Sequence, residues 1–347
     1  MKSISTALCS FGMSGRVFHA PFIEVNPKFK LHGVLERSRN LAQVKYPNVL
    51  TYRSLEELLE DRHVELVIVN TPNITHYEFA KKVILAGKHV IIEKPFTAVE
   101  HEAKELIDLA EKHSVKLSVY HNRRWDSDFK TVKRIVSTGV LGDIIEAEFH
   151  YDRFYPNLSD KKHKEIPSEG VGNIYDLGSH IIDQALFLFG MPERVFAIID
   201  TLRKNSKVDD FFDIKLFYPS HYVSLKSSYF VREPIPAYVI HGTKGSLIKS
   251  KSDIQERDLQ KNISPNGKNW GIEPDSEKGV LHIVDNGESK KVDINSEQGN
   301  YMAYYDGIYV AIRNDGIVPV SGVEAMNVIK IIQAAIQSSL DKKVIDL

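Results

Sequence analysis

The sequence predicts an α/β plus α+β chain: an N-terminal Rossmann domain with a doubly wound parallel sheet, then a C-terminal domain with a mostly antiparallel open sheet flanked by helices. Three observations predict it. The first third alternates short apolar runs with segments of helical periodicity. A glycine-containing loop directly follows the first run. The second half carries longer strand patterns rich in aromatic and β-branched residues.

The strand-like runs of the first third are Ile4–Cys9, Leu31–Leu35, Leu66–Asn70, Val90–Glu93 and Leu117–Tyr120. Several show no polar alternation, as expected of strands covered on both faces. Between them, Tyr77–Ala86 and Ala103–Ala110 repeat apolar residues at three- and four-residue spacing, the period of a helix packed on one side. Ser54 stands three residues before Glu57 as a capping box, and Gly87 follows Ala86 where a left-handed C-cap belongs. Strands and helices in alternation connect by right-handed crossovers into a parallel sheet.

The character changes after His121, so the domains are read as residues 1–121 and 122–347. The polar stretch Asn122–Asp126 leads into a helix ending near Gly139. Strand patterns follow at Ile144–Tyr151, Arg194–Thr201, Asp210–Tyr218 and Tyr222–Val231, with Tyr218-Pro-Ser-His221 as a hairpin turn. Residues 249–297 are polar and read as loops and edge hairpins, ahead of a helix over Gly322–Leu340.

A length of 347 residues suits two cores better than one. Basic and acidic residues number 45 and 46, so no bulk field favours nucleic acid or an anionic membrane. Apolar runs such as Ile181–Gly190 are too short to span a bilayer. Met1–Ser10 runs into a strand pattern with no basic leader, which predicts a cytoplasmic chain. Cys9 is the single cysteine, so no internal disulfide can form, and its apolar surroundings predict a buried thiol.

Ser10-Phe11-Gly12-Met13-Ser14-Gly15 has the spacing of a dinucleotide-binding loop, with Ser10 in place of the first glycine. Gly12 lets the backbone approach a pyrophosphate, and Gly15 lets the following helix pack closely on the strand. The start of that helix, around Arg16, offers free N–H groups to phosphates. A simple tight turn has the same composition, but here the loop joins a strand to a helix, and Glu36 ends the second strand 21 residues after Gly15. Glu36, Arg37 and Ser38 then face the adenosine ribose. A carboxylate suits the free 2′-hydroxyl of NAD, whereas Arg37 and Ser38 suit the 2′-phosphate of NADP. Both cofactors stay open, and Arg37 reads equally as a solvated surface charge.

Four stretches resemble the glucose–fructose oxidoreductase, inositol dehydrogenase and MocA family. They are residues 11–22 (FGMSGRVFHAPF), 70–76 (NTPNITH), 86–95 (AGKHVIIEKP) and 170–183 (GVGNIYDLGSHIID), with His241-Gly-Thr-Lys-Gly-Ser246 as a further signature. Within the family the chain is most similar to the scyllo-inositol dehydrogenase-like branch, which has counterparts of Asn122-Arg-Arg-Trp-Asp126 and Tyr151-Asp-Arg-Phe154. Ser10, and Glu169-Gly-Val-Gly172 in place of a common triple glycine, depart from the pattern. The resemblance implies an oxidoreductase acting on a cyclitol, sugar or sugar derivative, assembled as a homodimer or homotetramer. It also implies a cofactor site that includes Met13, Thr71, Pro72, Asn73, His76, Glu93 and Lys94. Some relatives keep the fold without catalysis, so a sugar- or nucleotide-sensing regulator is the alternative.

Oxidising a secondary alcohol needs a base for the hydroxyl proton and a donor for the developing alkoxide. Lys94 follows a strand at its carboxyl end, where open α/β sheets bind ligands, and suits a donor or proton shuttle. Asp176 and His180 share a face if residues 174–189 are helical, so the carboxylate can orient the imidazole as a base. The resemblance places all three in the family's substrate site; a helix-stabilising pair is the plain alternative for Asp176 and His180. No metal is expected, because no second His or Cys lies at ligand spacing from His180. Gly178, mid-helix, calls for a close neighbour such as cofactor or substrate, and Asp183 reads as a structural pair. Arg124, Trp125 and Arg153 can contact a polyhydroxylated ring, with structural roles equally open.

Overall fold

The computed structural model describes residues 2–160 and 165–347; Met1, where the reading of the chain's start begins, lies outside the described residues. The chain forms two compact units. The first comprises residues up to 122 with 254–270 and 300–326, and the second comprises 123–253, 271–299 and 327–347. The chain first leaves the first unit after residue 122, and two later segments return to it.

In the first unit the strands are β1 (Ile4–Leu8), β2 (Phe29–Leu35), β3 (Leu50–Tyr52), β4 (Leu66–Val69), β5 (His89–Glu93) and β6 (Leu117–Tyr120). They form one parallel sheet in the order β3-β2-β1-β4-β5-β6, whose direction of winding reverses between β1 and β4. Residues 66–69 are buried throughout, which is why that run carries no polar alternation. Helix His76–Leu85 ends at Gly87, whose φ of +70° only glycine adopts cheaply. The returning segments bring helix Met302–Arg313, whose Tyr305 stacks on Phe22 with ring centroids 5.4 Å apart. Gln255 ties them together, its Oε1 accepting from Trp270 Nε1 and the Tyr301 amide at 3.1 and 2.8 Å.

The second unit is built on β7 (Ile144–His150), β8 (Arg194–Asp200), β9 (Phe211–Phe217), β10 (Tyr222–Ser228), β11 (Tyr238–Gly242), β12 (Gly245–Lys249), β13 (Gly279–Asp285), β14 (Glu288–Ile294) and β15 (Ile345–Asp346). The sheet runs β14-β13-β12-β11-β7-β10-β9-β8-β15 and is antiparallel except for the central β7/β10 pair. Period-two alternation sends Ala147, Phe149, Val223, Leu225, Ile214 and Leu216 to a buried face. Helices Ser127–Ser137 and Ser179–Phe189 lie in the same unit and pack on the sheet. The opposite face mixes exposed Ile198, Tyr222 and Ile248 with charged side chains. Within the polar stretch 249–297, β13 and β14 make an edge hairpin about Asn286-Gly287, both at positive φ. No helix among the described residues is long and apolar enough to cross a membrane.

The expected cap at Ser54 is present: its Oγ accepts the Glu57 amide at 3.1 Å. Ser54→Ala should lower stability by about 1 kcal/mol, read as a reduced denaturation midpoint at unchanged slope in urea unfolding.

Candidate active site

In the first unit, the candidate residues follow the carboxyl ends of the strands. After β1, Ser10 is held by Asn70, which follows β4. The Ser10 amide donates to Asn70 Oδ1 at 2.9 Å, Ser10 Oγ donates to the Asn70 carbonyl at 2.8 Å, and Asn70 Nδ2 donates to the Ser10 carbonyl at 2.9 Å. The clamp fixes the loop in spite of the missing first glycine. A Cβ on Gly15 would lie 2.4 Å from the Ser10 carbonyl oxygen, so no side chain fits there. A Cβ on Gly12 would meet nothing closer than Ser10 Oγ at 3.8 Å, and Gly12, Met13 and Arg16 are exposed. The loop is thus closed beneath by Gly15 and open above at Gly12, as an approaching phosphate requires.

The helix behind the loop begins with a wide turn, Gly15–His19, before continuing over Ala20–Val25. That turn aims Ser14 and His19 at Glu93, at the end of β5. Ser14 Oγ donates to Glu93 Oε1, and His19 Nε2 lies 2.9 Å from the same oxygen. His19 Nδ1 lies 2.8 Å from Tyr305 Oη. Burial opposes ionisation of Glu93, but the His19 bond and charge, with Ser14 and the Lys94 charge, bring its pKa down to about 2. The half-buried Lys94 follows immediately, and its amide donates to Glu93 Oε2 at 3.2 Å.

After β4, Thr71 and Asn73 are half-buried and Pro72 is exposed. Thr75 stands at the helix start, but its hydroxyl donates to the Pro72 carbonyl rather than capping a helical amide. The buried His76 ring lies between the carbonyls of Pro95 and Thr71, 2.8 and 2.9 Å from its two nitrogens. Burial lowers its pKa, so the ring is neutral at pH 7 and donates to one of them. Glu36, expected to face the ribose, follows β2 directly. It is buried, and its two carboxylate oxygens accept the amides of Leu41 and Ala42 at 3.0 and 2.9 Å, the start of helix Leu41–Lys45. Arg37 and Ser38 beside it are exposed.

In the second unit, residues 174–178 form a wide turn that continues as helix Ser179–Phe189, which ends at Gly190 with φ +75°. Asp176 is half-buried and His180 buried on this segment. Asp209 Oδ2 accepts the Ile174 amide at 2.8 Å, and Asn173 Nδ2 donates to Ser227 Oγ at 2.9 Å, which pins the start. Gly178 does have close neighbours, but they are Ile174 and Phe212, each 3.3 Å from where a Cβ would lie; core packing accounts for this glycine without any ligand. The Tyr151 ring lies 6.0 Å from that of His180. Arg123, Arg153 and Lys251 stand 6.0, 5.5 and 4.6 Å from the Tyr151 ring centre.

The structure therefore gathers Ser10, Gly12, Gly15, Glu93, Lys94 and His76 at the strand ends of one unit. In the other it gathers His180 and Arg153 about Tyr151, with Asp176 on the same helical segment as His180. Arg124 is committed elsewhere: its guanidinium grips Asp183 with two bonds of 2.9 and 2.7 Å and lies over Phe187. Trp125 is half-buried in a short helical turn, Asn122–Trp125. No role was assigned from the sequence to Asn70, Ser14, His19, Tyr151 or Lys251, although all but Lys251 fall in stretches that carry the resemblance.

Two family models match the chain. One, an oxidoreductase family's NAD-binding Rossmann fold, covers residues 4–121, and the other, that family's C-terminal alpha/beta domain, covers 133–347. Scyllo-inositol 2-dehydrogenase (NADP(+)) IolW of Bacillus subtilis is 38% identical over all of this chain and 97% of its own length. The uncharacterized oxidoreductase YdgJ of Escherichia coli is 35% identical over 97% of this chain and 96% of its own. A crystal structure of an oxidoreductase from Bacillus cereus superposes with a TM-score of 0.92 at 35% identity, covering 99% of each chain.

Burial raises the Asp209 pKa to about 6, against an unfolded value near 3.8. The folded chain holds this proton more tightly between about pH 4 and 6, so stability falls as pH rises through that window, by at most about 3 kcal/mol, and levels off above it. Urea unfolding at pH 4, 5, 6 and 7 should show the decline in the parent chain and a flatter profile in Asp209→Asn.

Proposed function

The chain belongs to the glucose–fructose oxidoreductase, inositol dehydrogenase and MocA family, and from that membership we propose that it is an NADP-dependent dehydrogenase for a secondary alcohol of a cyclitol or sugar. Its Rossmann unit binds NAD or NADP, and the loop fits: Gly12 leaves open the face a pyrophosphate approaches, and the Asn70 clamp holds that face in place. When bound, the nicotinamide supplies the hydride acceptor. The chain's own residues do the rest. Lys94 donates to the alcohol oxygen and stabilises the alkoxide as it forms, while His180, oriented by Asp176, takes the hydroxyl proton. Arg153, beside the Tyr151 ring, binds ring hydroxyls, and Thr71, Pro72, Asn73 and His76 shape the wall around the nicotinamide ribose.

The observation that carries the reaction is Lys94, set directly behind Glu93 at a strand terminus. Full-length similarity to IolW supports the cyclitol class. NADP is favoured over NAD by Glu36. Its carboxylate is occupied by two backbone amides, which leaves Arg37 and Ser38, both exposed, to meet a 2′-phosphate. We infer also a cytoplasmic homo-oligomer, dimer or tetramer, that covers the open sheet face around Ile198, Tyr222 and Ile248. Light scattering should give a multiple of the chain mass, and Tyr222→Glu should shift it to the monomer.

With NADP and a panel of cyclitols and sugars, absorbance of the reduced cofactor should rise for at least one substrate. Lys94→Ala and His180→Ala should each lower kcat by about a hundredfold or more. Arg37→Ala should raise KM for NADP by roughly tenfold or more and leave KM for NAD nearly unchanged. NADP binding without turnover on any member would favour a sensing role instead.

A further inference from the structure

A second cluster of ligand-type side chains lies in the first unit, away from the strand ends that carry the cofactor loop. His32 sits within β2, and Asp61 and His63 sit in the loop between helix Leu55–Glu60 and the amino end of β4. Their ligand atoms all lie within 4.8 Å of one another. His32 Nε2 is 2.9 Å from Asp61 Oδ2, and His63 Nδ1 is 3.1 Å from Asp61 Oδ1, so each imidazole addresses a different oxygen of one carboxylate.

We propose that His32, Asp61 and His63 bind a borderline divalent cation, with zinc as its representative. Ligand bonds of about 2.0–2.2 Å in a tetrahedral site place neighbouring donor atoms roughly 3.3 Å apart, a few tenths of an ångström beyond the two imidazole–carboxylate distances, and the two imidazoles lie within 4.8 Å of each other. Two imidazoles and a carboxylate suit zinc and its neighbours, while calcium and magnesium ask for more oxygens and copper(I) for sulfur. The side chain of His63 is 84% exposed, those of His32 and Asp61 15% and 17%, so the ion enters from solvent, which fills the fourth position.

What distinguishes the cluster from a chance hydrogen-bonded trio is its support. Tyr52 Oη donates to Asp61 Oδ2 at 2.7 Å and the His63 amide donates to Oδ1 at 2.8 Å. Neither bond uses an imidazole, so the carboxylate stays aimed when an ion replaces the protons between it and the rings. The Tyr52 ring reaches this position because residue 33 is glycine: a Cβ there would lie 2.2 Å from its Cε2. Lys88 Nζ donates to the carbonyls of Asp61 and Val64 at 2.8 and 2.9 Å, which fixes the loop that carries Asp61 and His63. The site rests on none of the residues assigned to cofactor or substrate.

The test is equilibrium dialysis of the full-length, tag-free, chelator-treated chain against zinc, with bound metal quantified and melting temperature followed in parallel. One zinc per chain and a raised melting temperature are expected. His63→Ala, an exposed position, should weaken zinc binding by at least about tenfold and abolish the thermal shift, with its metal-free melting temperature close to the parent's. Asp61→Asn should behave the same way toward zinc. The proposal is overturned if the parent chain takes up no zinc, or if both variants bind it as the parent does.

Discussion

Three hydrogen bonds between Ser10 and Asn70 hold the phosphate end of the Rossmann unit together. Asn70 accepts from the Ser10 amide and donates to the Ser10 carbonyl, and Ser10 Oγ closes the ring on the Asn70 backbone. Each bond contributes about 1 kcal/mol net, but their geometric effect matters more. They join β1 to β4 where the winding of the sheet reverses, and they set the carbonyl that leaves no room for a side chain on Gly15. The helix can then start close to the strand, and its wide first turn carries Ser14 and His19 to Glu93. Loop, helix and the strand that precedes Lys94 are thereby one connected arrangement.

The second unit relies on charges placed inside it. Arg124 and Asp183 form a buried two-bonded pair. Lys249, buried at the end of β12, donates to Glu273 Oε2 at 2.7 Å, while Ser127 Oγ donates to the other carboxylate oxygen at 2.5 Å. Burying such ions costs several kcal/mol each, and removing one partner costs more than replacing both. Their value here is in position. Arg124 ties the segment after residue 122 to helix Ser179–Phe189, the helix of His180, and Glu273 ties the polar stretch after β12 to helix Ser127–Ser137.

The elements with the strongest periodicity were the most legible in sequence. The six parallel strands include five recognised as apolar runs; Leu50–Tyr52 is too short and too exposed at its start to show any pattern. The Asp176/His180 helix could be inferred from spacing and its Gly190 stop, yet the wide turn at its beginning could not, because a wide turn has no compositional mark. Glu36 shows the limit most clearly. Its distance from Gly15 is that of a ribose ligand, but a carboxylate one residue past a strand can also accept the first amides of the next helix, and only the coordinates reveal that contact. Tyr151 meets Lys251 from 100 positions away, and His32 meets Asp61 and His63 from 29 and 31, separations at which single-sequence periodicity carries no information.

The hairpin β13–β14 ends the sheet of the second unit on one side, and the two-residue β15 ends it on the other. An unpaired strand edge is a template for another chain. β14 carries Glu288, Lys290, Lys291 and Asp293, so an incoming strand would have to bury alternating charges against its own face. β15 is too short to seed a ladder. The polar composition of the stretch around residues 249–297, read from the sequence as loops and edge hairpins, thus guards a nine-stranded sheet from adding a tenth strand that belongs to a neighbour.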